Sequence, residues 1–310
     1  MSTLTITTIQ ADLRWEDKAA NLQRFEEKIL GIPEPTEIVV LPEMFSTGFS
    51  MKPQALAEKM DGPTIAWMKT IAAEKRVILT GSIIIEEGGH YFNRLIWMLP
   101  NGQYGYYDKR HRFAYAGENE QYTAGRKRLI ASVKGWKVLL MVCYDLRFPV
   151  WSRQGPAAPG AGLGGTQGTA GRAGVGGHRA ERGVLPADEP DEEADGTMAD
   201  GTGEGPGLEY DLILYVANWP ERRSLAWKTL LQARAIENQS FVVGVNRVGM
   251  DGNNIYHSGD SMIIDPLGEV LSLISNKETI FTHTLRKERL DEARSRFPFW
   301  RDADHFSIEP

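Results

Sequence analysis

Residues 137–149 read KVLLMVCYDLRFP: an apolar run, then a thiol, then a polar segment closed by proline. The run is too short for an independent helix, lies between a tryptophan and a turn-prone segment, and carries two valines, so it reads as a buried strand. Cys143 stands where the chain must leave that strand. A side chain at a sharp strand-to-turn bend is held out of the sheet, which is how nucleophile elbows present serine; a cysteine there is either such a group or a small buried hydrophobe.

The pattern repeats on both sides. Short runs rich in valine, isoleucine and aromatic residues predict strands at 4–10, 37–41, 77–85, 91–99, 211–216, 240–246, 260–264 and 280–284. Amphipathic segments predict helices at 15–29, 64–74 and 224–238, the last capped by Ser224 and carrying Trp227, Leu230, Leu231 and Ile236 on one face. Alternation of strands and helices in the first 145 residues predicts an α/β fold. Turn signals at Glu87-Gly88-Gly89 and Pro266-Leu267-Gly268 predict hairpins, hence mixed sheets.

Composition sets the frame for this pattern. The chain has 310 residues, 42% apolar and 25% charged, the proportions of a globular protein. One cysteine excludes an internal disulfide and a cysteine-rich zinc site. No apolar run approaches the roughly 18 residues of a membrane span, and the first twenty residues alternate rather than form a signal core, which predicts a cytoplasmic protein with no membrane partner.

Residues 155–207 break the pattern. They hold 16 of the 32 glycines, nine acids against three arginines, and no Phe, Trp, Tyr or Ile. So few apolar groups cannot offset about 1–2 kcal/mol of backbone ordering per residue, and a low-complexity insert, disordered or a local sequence error, is predicted within a single domain spanning 1–310. The formal charge of −6 belongs to this segment, because the rest of the chain carries 32 bases and 32 acids. Net charge therefore supplies no argument for a nucleic-acid partner.

Two other runs end as the first does. Residues 37–41 run into Leu41-Pro42-Glu43, and 102–107 into Asp108-Lys109. Ligand crevices in α/β sheets form at strand ends, so a carboxylate, an ammonium and a thiol arriving there can share one pocket.

Five blocks, LPEMFSTGFSM at 41–51, YYDKRHRFAYAGENEQYTAG at 106–125, MVCYDLRFPVWSR at 141–153, YDLILYVANWPERRSLAWKTLLQARAIENQ at 210–239 and NRVGMDGNNIYHSGDS at 246–261, resemble the nitrilase superfamily of carbon-nitrogen hydrolases, in particular its omega-amidase branch. The resemblance implies a four-layer α-β-β-α sandwich, a homodimer, and no metal or organic cofactor. It also implies Glu43 as general base, Lys109 as cationic stabiliser, Cys143 as nucleophile and Glu118, rather than Glu120, as a second glutamate beside the lysine.

These residue types suit amide hydrolysis. An amide needs a strong nucleophile, a stabiliser for the developing oxyanion, and a proton for the departing nitrogen; a neighbouring ammonium favours thiolate, and a carboxylate can carry the proton. The backbone N–H of Tyr144 is the expected second oxyanion donor. The omega-amidase resemblance implies a small-molecule substrate bearing a terminal amide and a free carboxylate, of the 2-oxoglutaramate or 2-oxosuccinamate type. Arg147 and Arg112 are candidates for that carboxylate, and Trp219, Phe45 and Tyr115 for the pocket wall. Alternative readings are a nitrilase or N-carbamoyl hydrolase with the same three residues, a cysteine hydrolase using His90, His111, His257, His283 or His305 as base, and a nitrilase-fold binding protein without turnover.

Overall fold

The computed structural model describes residues 2–154, 208–304 and 306–308; the predicted insert at 155–207 and His305 lie outside them. Among the described residues the strands, in chain order, are β1 (Thr3–Gln10), β2 (Ile38–Val40), β3 (Ile78–Glu87), β4 (His90–Met98), β5 (Tyr104–Asp108), β6 (Ile130–Val133), β7 (Trp136–Val142), β8 (Leu212–Ala217), β9 (Phe241–Asn246), β10 (Val248–Met250), β11 (Tyr256–Ile264), β12 (Val270–Ser275) and β13 (Thr279–Arg286). The helices are α1 (Lys18–Leu30), α2 (Pro53–Leu56), α3 (Pro63–Lys75), α4 (Glu118–Gln121), α5 (Pro149–Ser152), α6 (Ser224–Asn238) and α7 (Lys287–Arg296).

Two mixed sheets result, ordered β13-β1-β2-β3-β4-β5 and β10-β11-β9-β8-β7-β6, with β12 paired on β11. In the first, β1, β2 and β3 run parallel; in the second, β7, β8 and β9 do. Both predicted hairpins form: Glu87 pairs with His90 across Gly88 and Gly89, whose φ of 60° and 80° a side chain would strain, and β11 turns into β12.

Alternation along the first sheet sorts its side chains into two layers. Leu4, Ile6, Ile38 and Val40 share an apolar cluster with Val138, Leu140, Val142 and Ile213 of the second sheet, and this cluster continues into Trp227 and Leu231 of α6 and Leu290 of α7. Val39, Leu41 and Leu79 point the other way, clustering with Phe25 and Ile29 of α1 and Ile65 and Met68 of α3. The order is therefore helix, sheet, sheet, helix: the predicted four-layer sandwich. Each large aliphatic side chain so buried contributes about 1.5–3 kcal/mol.

Two details of the predicted helix at 224–238 change. Ser224 is its first helical residue and Arg223 the cap, because a preceding turn at Glu221–Arg223 leads the chain directly into α6. Ile236 is 54% exposed; nine residues past Trp227, it lies half a turn around the helix from the buried face.

This architecture gathers four strand ends. β2 and β5 of one sheet deliver Glu43 and Lys109, while parallel neighbours β7 and β8, in register at Val142 and Val216, deliver Cys143 and Asn218 from the other.

Candidate active site

Glu43 is set by a turn pinned onto β3: Leu41 N–H donates to Thr80 O at 2.7 Å, Met44 N–H to Ser82 Oγ at 2.8 Å and Phe45 N–H to Ser82 O at 3.1 Å. Met44 takes a left-handed φ of 43°, which turns the chain sharply after the glutamate. The carboxylate is fully buried. Its Oε1 accepts from Lys109 Nζ at 2.9 Å and Asn93 Nδ2 at 2.8 Å, and its Oε2 from the backbone N–H of Asn218 at 2.8 Å.

Lys109 follows β5, its backbone tied to Asn93 O and to Gly125 N–H. Its ammonium donates to Glu43 and, at 3.0 and 2.9 Å, to both oxygens of Glu118. Glu118 is buried at the start of α4 and also accepts from Phe113 N–H at 2.5 Å, whereas Glu120 is exposed. Burial works against the ammonium, but the two carboxylates outweigh it and hold Lys109 firmly protonated. For Glu118, burial raises the pKa, the Lys109 charge opposes, and Glu43 adds to the rise.

Cys143 opens a tight turn, Cys143–Arg147, at the end of β7, with a left-handed φ of 45°. Such a conformation in a non-glycine residue costs about 1–3 kcal/mol and needs anchoring. Buried Asp145 supplies the anchor. Its Oδ2 accepts from Val142 N–H at 3.0 Å and the Tyr107 hydroxyl at 2.7 Å, and its Oδ1 accepts from His111 N–H at 3.0 Å. The Asp145 carboxylate thus ties the cysteine turn to the strand end that carries Lys109.

The thiol lies within electrostatic reach of the Glu43 carboxylate. Burial, then the Glu43 carboxylate, push its pKa well above the ordinary thiol range, with Lys109 opposing. This modifies the expectation that the ammonium favours thiolate, because the lysine charge is already shared between two carboxylates. The arrangement is a thiol beside a waiting base.

Cys143 faces a cavity of about 490 Å³. Its wall is largely aromatic: Trp15, Phe49, Phe113, Tyr115, Tyr144 and Trp219. Tyr115 stands at the mouth, 83% exposed. The Tyr144 N–H belongs to the first positions of the cysteine turn, where amides find no acceptor within the turn itself. Three guanidiniums line the same space. Arg147 lies over the Trp219 ring at 5.0 Å and Arg223 over Phe113 at 5.0 Å, with Arg222 beside them. No ion pair joins any of the three to an acid among the described residues. Burial, then Arg222 and Arg147, lower the pKa of Arg223, while the nearby Cys143 acts in the opposite sense.

Two expected lining residues are elsewhere. Phe45, two residues past Glu43, points into the helix layer, with Phe25 edge-on at 5.6 Å and Trp67 at 5.9 Å; a side chain on Gly81 would meet its ring at 2.8 Å. Arg112 turns back to donate to Tyr122 O at 3.0 Å and does not line the cavity. Among the histidines described, His257 alone lines the cavity, and burial, then Arg247, push its pKa down to about 4. Sequence reasoning missed Asn93, Asp145, Asn218 and Arg223. Asn218 carried the strand-end signal that marked the others, two residues beyond the predicted strand at 211–216.

A family model described as carbon-nitrogen hydrolase matches residues 5–163 and 209–295. This protein belongs to the carbon-nitrogen hydrolase family. The hydrolase is 37% identical over 309 residues to omega-amidase YafV of Escherichia coli (strain K12), covering 99% of this chain and 100% of that one. It is 26% identical over 301 residues to the 2-oxoglutaramate amidase of Bacillus subtilis (strain 168), covering 96% of both. A solved CN-hydrolase superfamily protein from Xanthomonas campestris, with an arsenic adduct in its active site, superposes with a TM-score of 0.82 at 38% identity, over 99% of this chain and 100% of that one. Saccharomyces cerevisiae Nit3, 20% identical with a TM-score of 0.71 over 96% of this chain and 94% of that one, shares the fold. No helix among the described residues is long and apolar enough to cross a membrane.

Proposed function

We propose that this hydrolase cleaves the terminal amide of small dicarboxylic monoamides of the 2-oxoglutaramate or 2-oxosuccinamate type, through a thioester on Cys143. One arrangement carries this reading: a thiol beside a buried carboxylate at the wall of a cavity whose rim holds arginines without acid partners among the described residues. The similarity to omega-amidase YafV and to a 2-oxoglutaramate amidase supports it.

In the proposed cycle Glu43 takes the Cys143 proton as sulfur attacks the amide carbon. Lys109 and the Tyr144 N–H meet the oxyanion, in a site where such donors need no reorganisation. Glu43 passes its proton to nitrogen, the C–N bond breaks, and ammonia leaves. Glu43 then deprotonates a water, hydroxide adds to the thioester, the C–S bond breaks, and the proton returns to sulfur. Glu118 keeps Lys109 oriented and charged. Arg147 and Arg223 hold the substrate's free carboxylate, the pairing for which guanidinium geometry is best suited.

The test is ammonia release from 2-oxoglutaramate against a nitrile and an N-carbamoyl amino acid of similar size. Preferential turnover of the amide is expected; preference for either competitor overturns the reading. The mechanism needs a reduced thiol, and on that ground we assign the protein to the cytoplasm. We also propose a homodimer. Leu225 and Ile236, 77% and 54% exposed, lie eleven residues apart on one outer side of α6, a stripe suited to a second copy.

A further inference from the structure

Asn218 ends β8 in the cavity wall and is only 6% exposed. Both ends of the residue grip Glu43: its backbone N–H donates to Glu43 Oε2 at 2.8 Å, and its Nδ2 donates to the Glu43 carbonyl at 2.5 Å. The second contact fixes which way the carboxamide faces, because the reverse orientation would set two oxygens against each other at that distance. The next residue is fastened as well, with Trp219 N–H donating to Asn246 Oδ1 and Asn246 Nδ2 donating back to Trp219 O.

One side-chain atom of this rigid group is left over. Asn218 Oδ1 is buried and has no hydrogen-bond partner. Asn93 Oδ1 is orphaned in the same way, but Asn93 does not line the cavity. Native proteins seldom bury an acceptor unpaired, and where its residue lines a binding cavity its natural complement is a donor on the ligand.

The proposed reaction supplies such a donor. A primary amide presents two N–H groups on the atom that must receive the Glu43 proton. We propose that Asn218 Oδ1 accepts one amide N–H of the substrate and holds the nitrogen beside Glu43, selecting an amide over an ester of the same acyl group. The inference rests on the amide-hydrolase reading and adds a leaving-group contact to it. As the tetrahedral intermediate collapses, the bond from Asn218 keeps the nitrogen placed for the proton of Glu43, and the C–N bond breaks to give ammonia. An ester has no N–H to offer this acceptor, although it forms the same thioester.

The test compares 2-oxoglutaramate with the corresponding 5-methyl ester in wild type, Asn218→Ala and Asn218→Leu, the last keeping the branched outline should alanine fail to fold. The amide kcat/KM should fall about 10–100-fold and the ester value by no more than about 3-fold. Equal losses on both substrates would reduce Asn218 to a support for Glu43, and no loss on either would remove it from the site; each overturns the proposal. Alkylation of Cys143 by acrylamide against methyl acrylate, followed by intact mass, reads the same contact without turnover. The variants should lower the amide-to-ester ratio, and an unchanged ratio overturns the proposal. If wild type ignores 2-oxoglutaramate, the substrate reading fails while the alkylation ratio still decides for Asn218.

Discussion

The buried floor behind Cys143, whose charged residues do not themselves line the cavity, and the cavity's rim handle charge in opposite ways. At the floor, Lys109 is closed between Glu43 and Glu118, all three at most 1% exposed and all within 3.0 Å of a partner. At the rim, Arg147 and Arg223 lie over aromatic rings with Arg222 lining the same space, and no acid is paired to any of them among the described residues. The floor is complete before substrate arrives, which is what electrostatic stabilisation of a transition state requires. The rim is incomplete, and an anion would complete it. Substitutions at the floor should therefore act on kcat, and substitutions at the rim on KM.

The largest effect belongs to the nucleophile: Cys143→Ala should lower turnover by at least about 10⁴-fold, and intact-mass measurement should find no acyl adduct. A variant retaining a tenth of wild-type activity would move the chemistry away from the floor altogether. Next comes Lys109→Met, which leaves two buried carboxylates facing each other. It should cost about 3–5 kcal/mol in denaturant unfolding and roughly 10³-fold in kcat. Adding Glu118→Gln should recover much of the stability and little of the rate, since the repulsion is relieved but the cation is still missing.

At the rim the expected effect is smaller and differently distributed. Arg147→Met and Arg223→Met should each raise KM for a carboxylate-bearing amide about 10–100-fold, and change KM for an uncharged amide less than about 3-fold. Equal effects on both substrates would erase the distinction between floor and rim. The mildest perturbation is titration. Burial and the Glu43 charge both disfavour the thiolate, so its ultraviolet absorbance should rise only above the range of a free cysteine. Removing that charge in Glu43→Gln should bring the step to lower pH, and a step already complete at neutral pH in wild type would contradict the thiol-and-base arrangement.

The strands of the α/β fold were legible because apolar runs announce themselves locally, whereas the four-layer order came from the family resemblance. What escaped were the short or largely exposed strands β6, β10 and β12, the one-turn helices α2, α4 and α5, and α7, a charged helix that buries only Leu290 and Ala293. Glu43, Lys109 and Cys143 could be read as a group since each is the polar end of an apolar run. Phe45 and Arg112 failed for a related reason: they sit close to site residues along the chain, but the tight turns there send one into the helix layer and the other back to Tyr122. Asp145 and Arg223 take their meaning from contacts with residues far away in sequence, and a single chain read along its length contains no sign of such partners. The segment at 155–207 is a matter for experiment. Gln154 Oε1 accepts from Tyr210 N–H at 3.3 Å, so the described ends are already adjacent; a chain with 155–207 replaced by a short turn is expected to keep kcat/KM within about 3-fold, which would support the single-domain reading.

Because the thiol comes from one sheet and its base and cation from the other, the spacing of the reacting groups is inherited from how the two layers are aligned. One step along a strand is about 3.3 Å, so a slip of that size would carry sulfur out of reach of Glu43. Residues such as Ile6, Val40 and Leu140, which never meet substrate, therefore act as a gauge block for the chemistry. Trimming them should blunt the rate at temperatures where the protein is still fully folded.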